Sequence, residues 1–133
     1  MTKLKETLEI GNTGISLEKI ANNCVYSTEE KVVGKWIDGK LIYRKLLIGS
    51  AIGSNSSIQI PTGVSNIKSI LNTYGWGLSG TNWFPLSRAH SSTFNYQITF
   101  YYYGAGNRFE VETGSSLSLS SIYIVMEYTK TTD

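Results

Sequence analysis

Side chains able to do covalent or acid–base chemistry are scarce in this chain. His90 is the single histidine and Cys24 the single cysteine. A hydrolytic triad needs a nucleophile, a base and an orienting acid within hydrogen-bond reach. No GxSxG elbow is present, and one His with one Cys does not make a zinc site without added carboxylates. The GAG of Gly104–Gly106 lacks the lysine and the following helical pattern of a phosphate-binding loop and reads as a turn. Glu110 and Glu112 are the one pair with catalytic spacing. On a strand they share a face at roughly 7 Å between Cα atoms, and paired carboxylates hydrolyse glycosidic bonds. With Arg108 beside them they read instead as an exposed polar face, and Glu29-Glu30 reads as solvated charge. The expectation is a protein that is not an enzyme and carries no metal or cofactor.

The residues suited to binding are more numerous. Sugars offer apolar ring faces edged by hydroxyls, which flat aromatic rings and Asn, Arg or Gln side chains recognise. The stretch Gly75–Ser92, GWGLSGTNWFPLSRAHSS, supplies Trp76, Asn82, Trp83, Arg88 and His90 among glycines and serines. It reads as one long connection, and connections beyond about 12 to 15 residues are usually functional or disordered. Tyr101 and Tyr103 stand on the polar side of the next strand and join the candidate set. Against this stands packing: both tryptophans can cap a core, and both tyrosines can fill a subunit contact.

What must position these residues is β-structure. The chain has 133 residues, enough for one domain with its own core. Charged residues make up 17% and hydrophobic ones 41%, while Ser, Thr, Asn, Gly and Tyr abound, a turn-rich and strand-rich composition. A formal net charge of +2 with scattered lysines and arginines leaves no electrostatic footprint for nucleic acid. No apolar run is long enough to insert in a membrane, and the first residues lack a signal-peptide core, so synthesis in the cytoplasm is expected.

Val32–Ile37 and Leu41–Ile48 flank Asp38-Gly39, the signal for a type I′ hairpin. Trp36 and Tyr43 lie near its turn. Ile58–Ile60 is a short strand stopped by Pro61, and Val64–Trp76 a longer one. Phe94–Tyr103 alternates, with Phe94, Tyr96, Ile98, Phe100 and Tyr102 toward the core. GAGN turns the chain into Arg108–Thr113, where Phe109 and Val111 face inward. TGSSLSLSS is a loop or edge strand, and Ile122, Ile124, Met126 and Tyr128 share one face of the last strand. The reading is all-β: an antiparallel β-sandwich of about seven strands over residues 26–133, preceded by a linker or shaft-connecting segment over 1–25. On the second face of the last strand, Tyr123 and Val125 are apolar enough for an oligomer interface.

YSTEEKVVGKWIDGKLIYRK, from Tyr26, resembles a segment of the C-terminal β-sandwich domain of phage and prophage tail-fibre or baseplate proteins of Gram-positive bacteria. IYIVMEYTKTTD, Ile122 to Asp133, is similar to that family's last strand and polar tail. SNIKSI, Ser65 to Ile70, and WFPL, Trp83 to Leu86, are weaker internal matches. Where many relatives have proline after the lysine of the turn, this chain has Leu41. The resemblance covers about Tyr26 to Asp133. It implies a receptor-binding tip in the virion, a homotrimer attached to other tail or baseplate proteins, that recognises a host cell-wall polysaccharide or other surface glycan. A trimerisation and assembly domain without a receptor is the alternative, and a glycan hydrolase a third reading.

Overall fold

The computed structural model describes residues 25–88 and 94–132. The linker assigned to residues 1–25, apart from Val25, and the candidate His90 lie outside them. Among the described residues eight strands follow in chain order: β1 (Lys31–Lys35), β2 (Leu41–Gly49), β3 (Ser57–Pro61), β4 (Ile67–Ser79), β5 (Asn82–Leu86), β6 (Ile98–Tyr103), β7 (Arg108–Thr113) and β8 (Ser121–Lys130). They form a five-stranded sheet, β1-β2-β8-β4-β5, and a three-stranded sheet, β3-β7-β6. Every strand pair is antiparallel. The all-β sandwich expected from the alternation is the architecture found.

The inward faces meet in one core. Ile122, Ile124, Met126 and Tyr128 of β8 are fully buried, as are Phe109 and Val111 of β7. Phe100 and Tyr102 of β6 lay their rings against Phe109, at centroid distances of 5.3 and 5.4 Å. The segment after β7 is a loop, yet Leu117 and Leu119 on it are buried. Leu119 exchanges two backbone hydrogen bonds with Ile52 and so closes one end of the sandwich. At one side the sheets are joined where Arg88 and Ile98 exchange backbone bonds of 3.0 and 2.9 Å. Elsewhere they approach closely at Gly49, where an added Cβ would lie 2.6 Å from Ile60 Cδ1. Pro61, which has no N–H to donate, sits on the edge strand β3, where proline is tolerated.

Three local features differ from the sequence reading. The Asp38-Gly39 hairpin is not type I′: Gly39 has φ +88° and Asp38 is not in the positive region. Gly39 N donates to Trp36 O at 2.9 Å and Trp36 N to Lys40 O at 2.8 Å, the pattern of a three-residue loop with its single left-handed position at glycine. Asp38 Oδ1 accepts from Lys40 N, which holds the Asp38 carboxyl below its ordinary range. Next, β6 begins only at Ile98, because Phe94–Tyr96 form a 3-10 turn and Tyr96 is exposed.

The third difference matters most for function. The segment Gly75–Ser92 is not one long loop. Its first part continues β4 to Ser79, turns at Gly80 (φ +62°) and returns as β5 to Leu86. The glycines suggested a loop but serve packing. A Cβ at Gly75 would lie 2.2 Å from the Tyr123 carbonyl oxygen, and one at Gly77 would lie 2.8 Å from Leu119 Cδ1. Both face the core, where backbone approach leaves no room for a side chain. Trp76, between them, is thereby turned outward.

Candidate functional site

The outward faces of the two sheets point away from each other, and each carries part of the residue set singled out above. On the five-stranded sheet the register fixes which side chains are neighbours. Leu46 of β2 is opposite Val125 of β8, which is opposite Tyr74 of β4. In the next row Ile48, Tyr123, Trp76 and Pro85 run from β2 across to β5. Trp83 lies one row further on β5, its ring 6.2 Å from that of Tyr123. Tyr26, from the segment before β1, crosses the sheet on this side. Its ring lies 4.6 Å under the Arg44 guanidinium, and its hydroxyl accepts from Tyr74 at 3.1 Å. Arg44 in turn pairs with Glu127 at 2.9 Å.

The face therefore grades from polar to apolar. At its polar end burial, with help from the Tyr26 bond, pushes the Tyr74 phenol up to about 12. At its apolar end Trp76, Trp83 and Ile48 remain 44%, 54% and 57% exposed. Between them Tyr26, Leu46, Trp76, Tyr123 and Val125 line a groove of about 370 Å³. Val125 points outward yet is only 2% exposed, because these larger side chains crowd over it. Tyr74 meets Trp76 edge to face at 5.6 Å.

The outward face of the three-stranded sheet has another character. Tyr101 of β6 is opposite Glu110 of β7, which is opposite Gln59 of β3; Tyr103 is opposite Arg108, which is opposite Pro61. The Arg108 guanidinium lies 4.7 Å over the Tyr103 ring, and its Nε donates to Glu110. Tyr101 and Tyr103 are 45% and 42% exposed. Beside this group a shallow polar pocket of about 250 Å³ is lined by Asn55, Ser56, Ser57, Glu112 and Thr113.

So the candidates divide. Trp76 and Trp83, proposed as ligand contacts, share one face with Tyr123 and Val125, proposed as an oligomer contact. Tyr101 and Tyr103 lie on the other sheet and do not join the tryptophans. Asn82 begins β5 at the hairpin tip and alternates to the side opposite Trp83. Arg88 is occupied at the seam between the sheets: its guanidinium lies 4.1 Å over Phe84, and Nη1 donates to Tyr96 O at 3.2 Å. Glu30, read as solvated charge, instead accepts hydrogen bonds from the Tyr128 hydroxyl and Lys130 Nζ. Burial first, then the Glu30 carboxylate, drive the Tyr128 phenol far above its ordinary range.

Sequence reasoning missed Gln59, Arg108 and Glu110 as companions of the tyrosines, and Tyr26, Leu46 and Ile48 as companions of the tryptophans. Of the first group, Arg108 and Glu110 were readable and Gln59 was not. Four residues separate Tyr103 from Arg108, so closing the GAGN turn sets Tyr103 opposite Arg108 and Tyr101 opposite Glu110. The second group depends on β8 lying between β2 and β4, which no local pattern states. Among the described residues no three His, Cys, Asp or Glu side chains gather to hold a metal. Both faces present large rings held on a rigid sheet, ordered at low entropy cost. No family model, curated protein or solved structure matches the chain.

Proposed function

We propose that this β-sandwich is a non-catalytic attachment module: the tip domain of a phage or prophage tail fibre or baseplate. It works as a homotrimer that holds a glycan on the host surface. The observation that carries the reading is the five-stranded sheet's outward face, where Trp76, Trp83 and Ile48 stand exposed beside Tyr123 and the apolar groove. Contiguous apolar surface of this kind marks an interaction site. The resemblance of Tyr26–Lys45 and Ile122–Asp133 to tail-fibre tip domains supports the same reading. In this reading the apolar face is covered by neighbouring copies, and weak glycan sites repeated on one spike sum to firm attachment.

A purely structural assembly domain is the second reading. The aliphatic residues Leu46, Ile48 and Val125 favour it, since they suit a protein partner better than a sugar. One experiment separates the two: light scattering for molar mass, run beside binding of the fluorescently labelled protein to Gram-positive cells. A trimer that binds particular strains, and loses them when wall polysaccharide is stripped, supports attachment. A trimer that binds no strain leaves assembly alone. A monomer that binds no strain overturns both.

A further inference from the structure

We propose that the outward face of the three-stranded sheet is the glycan site, built by Tyr101, Tyr103, Arg108, Glu110 and Gln59, with the neutral pyranose rings of a polysaccharide as its ligand class. The assignment rests on the attachment reading and gives it a location.

Four observations converge. Tyr101 and Tyr103 are two residues apart on β6, so their Cα atoms stand about 7 Å apart and both partly exposed side chains project from one face. Between them and β3 lies a charged pair that is already assembled. Arg108 Nε donates to one carboxylate oxygen of Glu110, and the two side chains are 30% and 12% exposed; a guanidinium carries further N–H donors and a carboxylate a second acceptor oxygen. Adjacent sugar hydroxyls, each both donor and acceptor, match that arrangement. Gln59, opposite Glu110, adds an amide with both functions.

The pair is also held in place. The Arg108 guanidinium lies over the Tyr103 ring, and an added Cβ at Gly106 would lie 2.2 Å from Arg108 Nη1 and 2.9 Å from Tyr103 Cδ2. Glycine in the turn is what lets the guanidinium lie there. The pair's opposite charges are mutually satisfied, so a neutral ligand meets them without facing an unpaired charge. Finally, the five positions include no aliphatic residue, unlike the opposite face with Leu46, Ile48 and Val125.

The test is ligand-observed NMR of the full chain with soluble oligosaccharides of neutral hexoses and N-acetylhexosamines, in which avidity does not contribute. The wild type is expected to bind at least one of them. Glu110→Gln is expected to weaken that binding about tenfold or more, the scale of one hydrogen bond to a charged group, and Tyr101→Ala by about threefold to tenfold, the scale of one aromatic contact. Gly106→Ala, which displaces Arg108 without deleting it, is expected to weaken it less. Trp83→Ala, on the other sheet, is the comparison variant, and it is expected to weaken binding less than Tyr101→Ala does. Circular dichroism of every variant verifies the fold. Binding lost in Trp83→Ala and kept in Tyr101→Ala would overturn the placement but leave attachment standing. Cells bound while no oligosaccharide is bound would overturn the ligand class alone. Failure to bind either would overturn this site and the attachment reading together.

Discussion

The two outward faces of the sandwich share a core and differ in almost everything else. The five-stranded face mixes tryptophan with leucine, isoleucine and valine, and its charges gather at one end around Arg44 and Glu127. On the three-stranded face a charged pair sits at the centre with tyrosines along one side. Aromatic rings occur on both, so an inventory of aromatics does not tell them apart. The neighbours of each ring do. Aliphatic neighbours make a surface that water leaves readily and another protein fills. Paired hydrogen-bonding neighbours make one that stays hydrated.

The largest expected effect strikes both faces at once. Phe109 is fully buried and touches the rings of Phe100 and Tyr102. Phe109→Ala should cost about 3–5 kcal/mol, read by denaturant unfolding, and glycan binding and assembly should fall together. If one survived, the faces would not share a single cooperative core.

Ile48→Lys comes next, because it sets a charge into the apolar row beside Tyr123. Its expected outcome is loss of about 2 kcal/mol or more of association, seen as a fall in molar mass to that of one chain, with the circular dichroism of the sandwich retained. An unchanged molar mass would remove this face from the assembly.

Alkaline pH should separate the faces more gently. Tyr74 is neutral in the fold up to about pH 12, against an ordinary 10.0. The neutral form's contribution is complete below pH 10 and is lost as pH rises from 10 to 12. Stability should therefore decline across that window, and Tyr74→Phe should flatten the decline. An identical slope in the variant would place the sensitivity elsewhere, with Tyr128 the first alternative.

The smallest effect is on the stability of Tyr101→Ala. The ring is exposed and makes no ring or cation contact among the described residues, so unfolding free energy should change by no more than about 0.5 kcal/mol. A larger loss would mean that the tyrosine packs rather than waits for a ligand.

Period-two alternation made most of the fold legible. It identified β7 and β8 with their inward residues, because burial on one face writes itself directly into a strand. The β4–β5 hairpin escaped because its signals pointed the wrong way. Gly75 and Gly77 read locally as flexibility, and the reason for them is non-local: the Tyr123 carbonyl and Leu119, more than forty residues away in sequence, occupy the space. Tyr26 and Glu30 were missed for a similar reason, since their partners Tyr74, Tyr128 and Lys130 reach them only after folding. Half of the candidate site was recognisable by residue type. Its division into two faces required the strand order.

The clamp on the chain's way into β1 also has a mechanical side. Tyr26 is tied to Tyr74, Ser27 O accepts from Leu46 N, and Glu30 holds Tyr128 and Lys130. All of these anchors precede the β1–β2 hairpin, and they reach β2, β8 and β4, the three inner strands of the five-stranded sheet. Tension arriving from the residues before Val25 therefore loads the inner strands first and the edge strand β1 only after the clamp yields. An edge strand pulled alone would unzip bond by bond; here the load is spread. In an optical trap, Glu30→Gln should rupture at lower force than the wild type when pulled from that end.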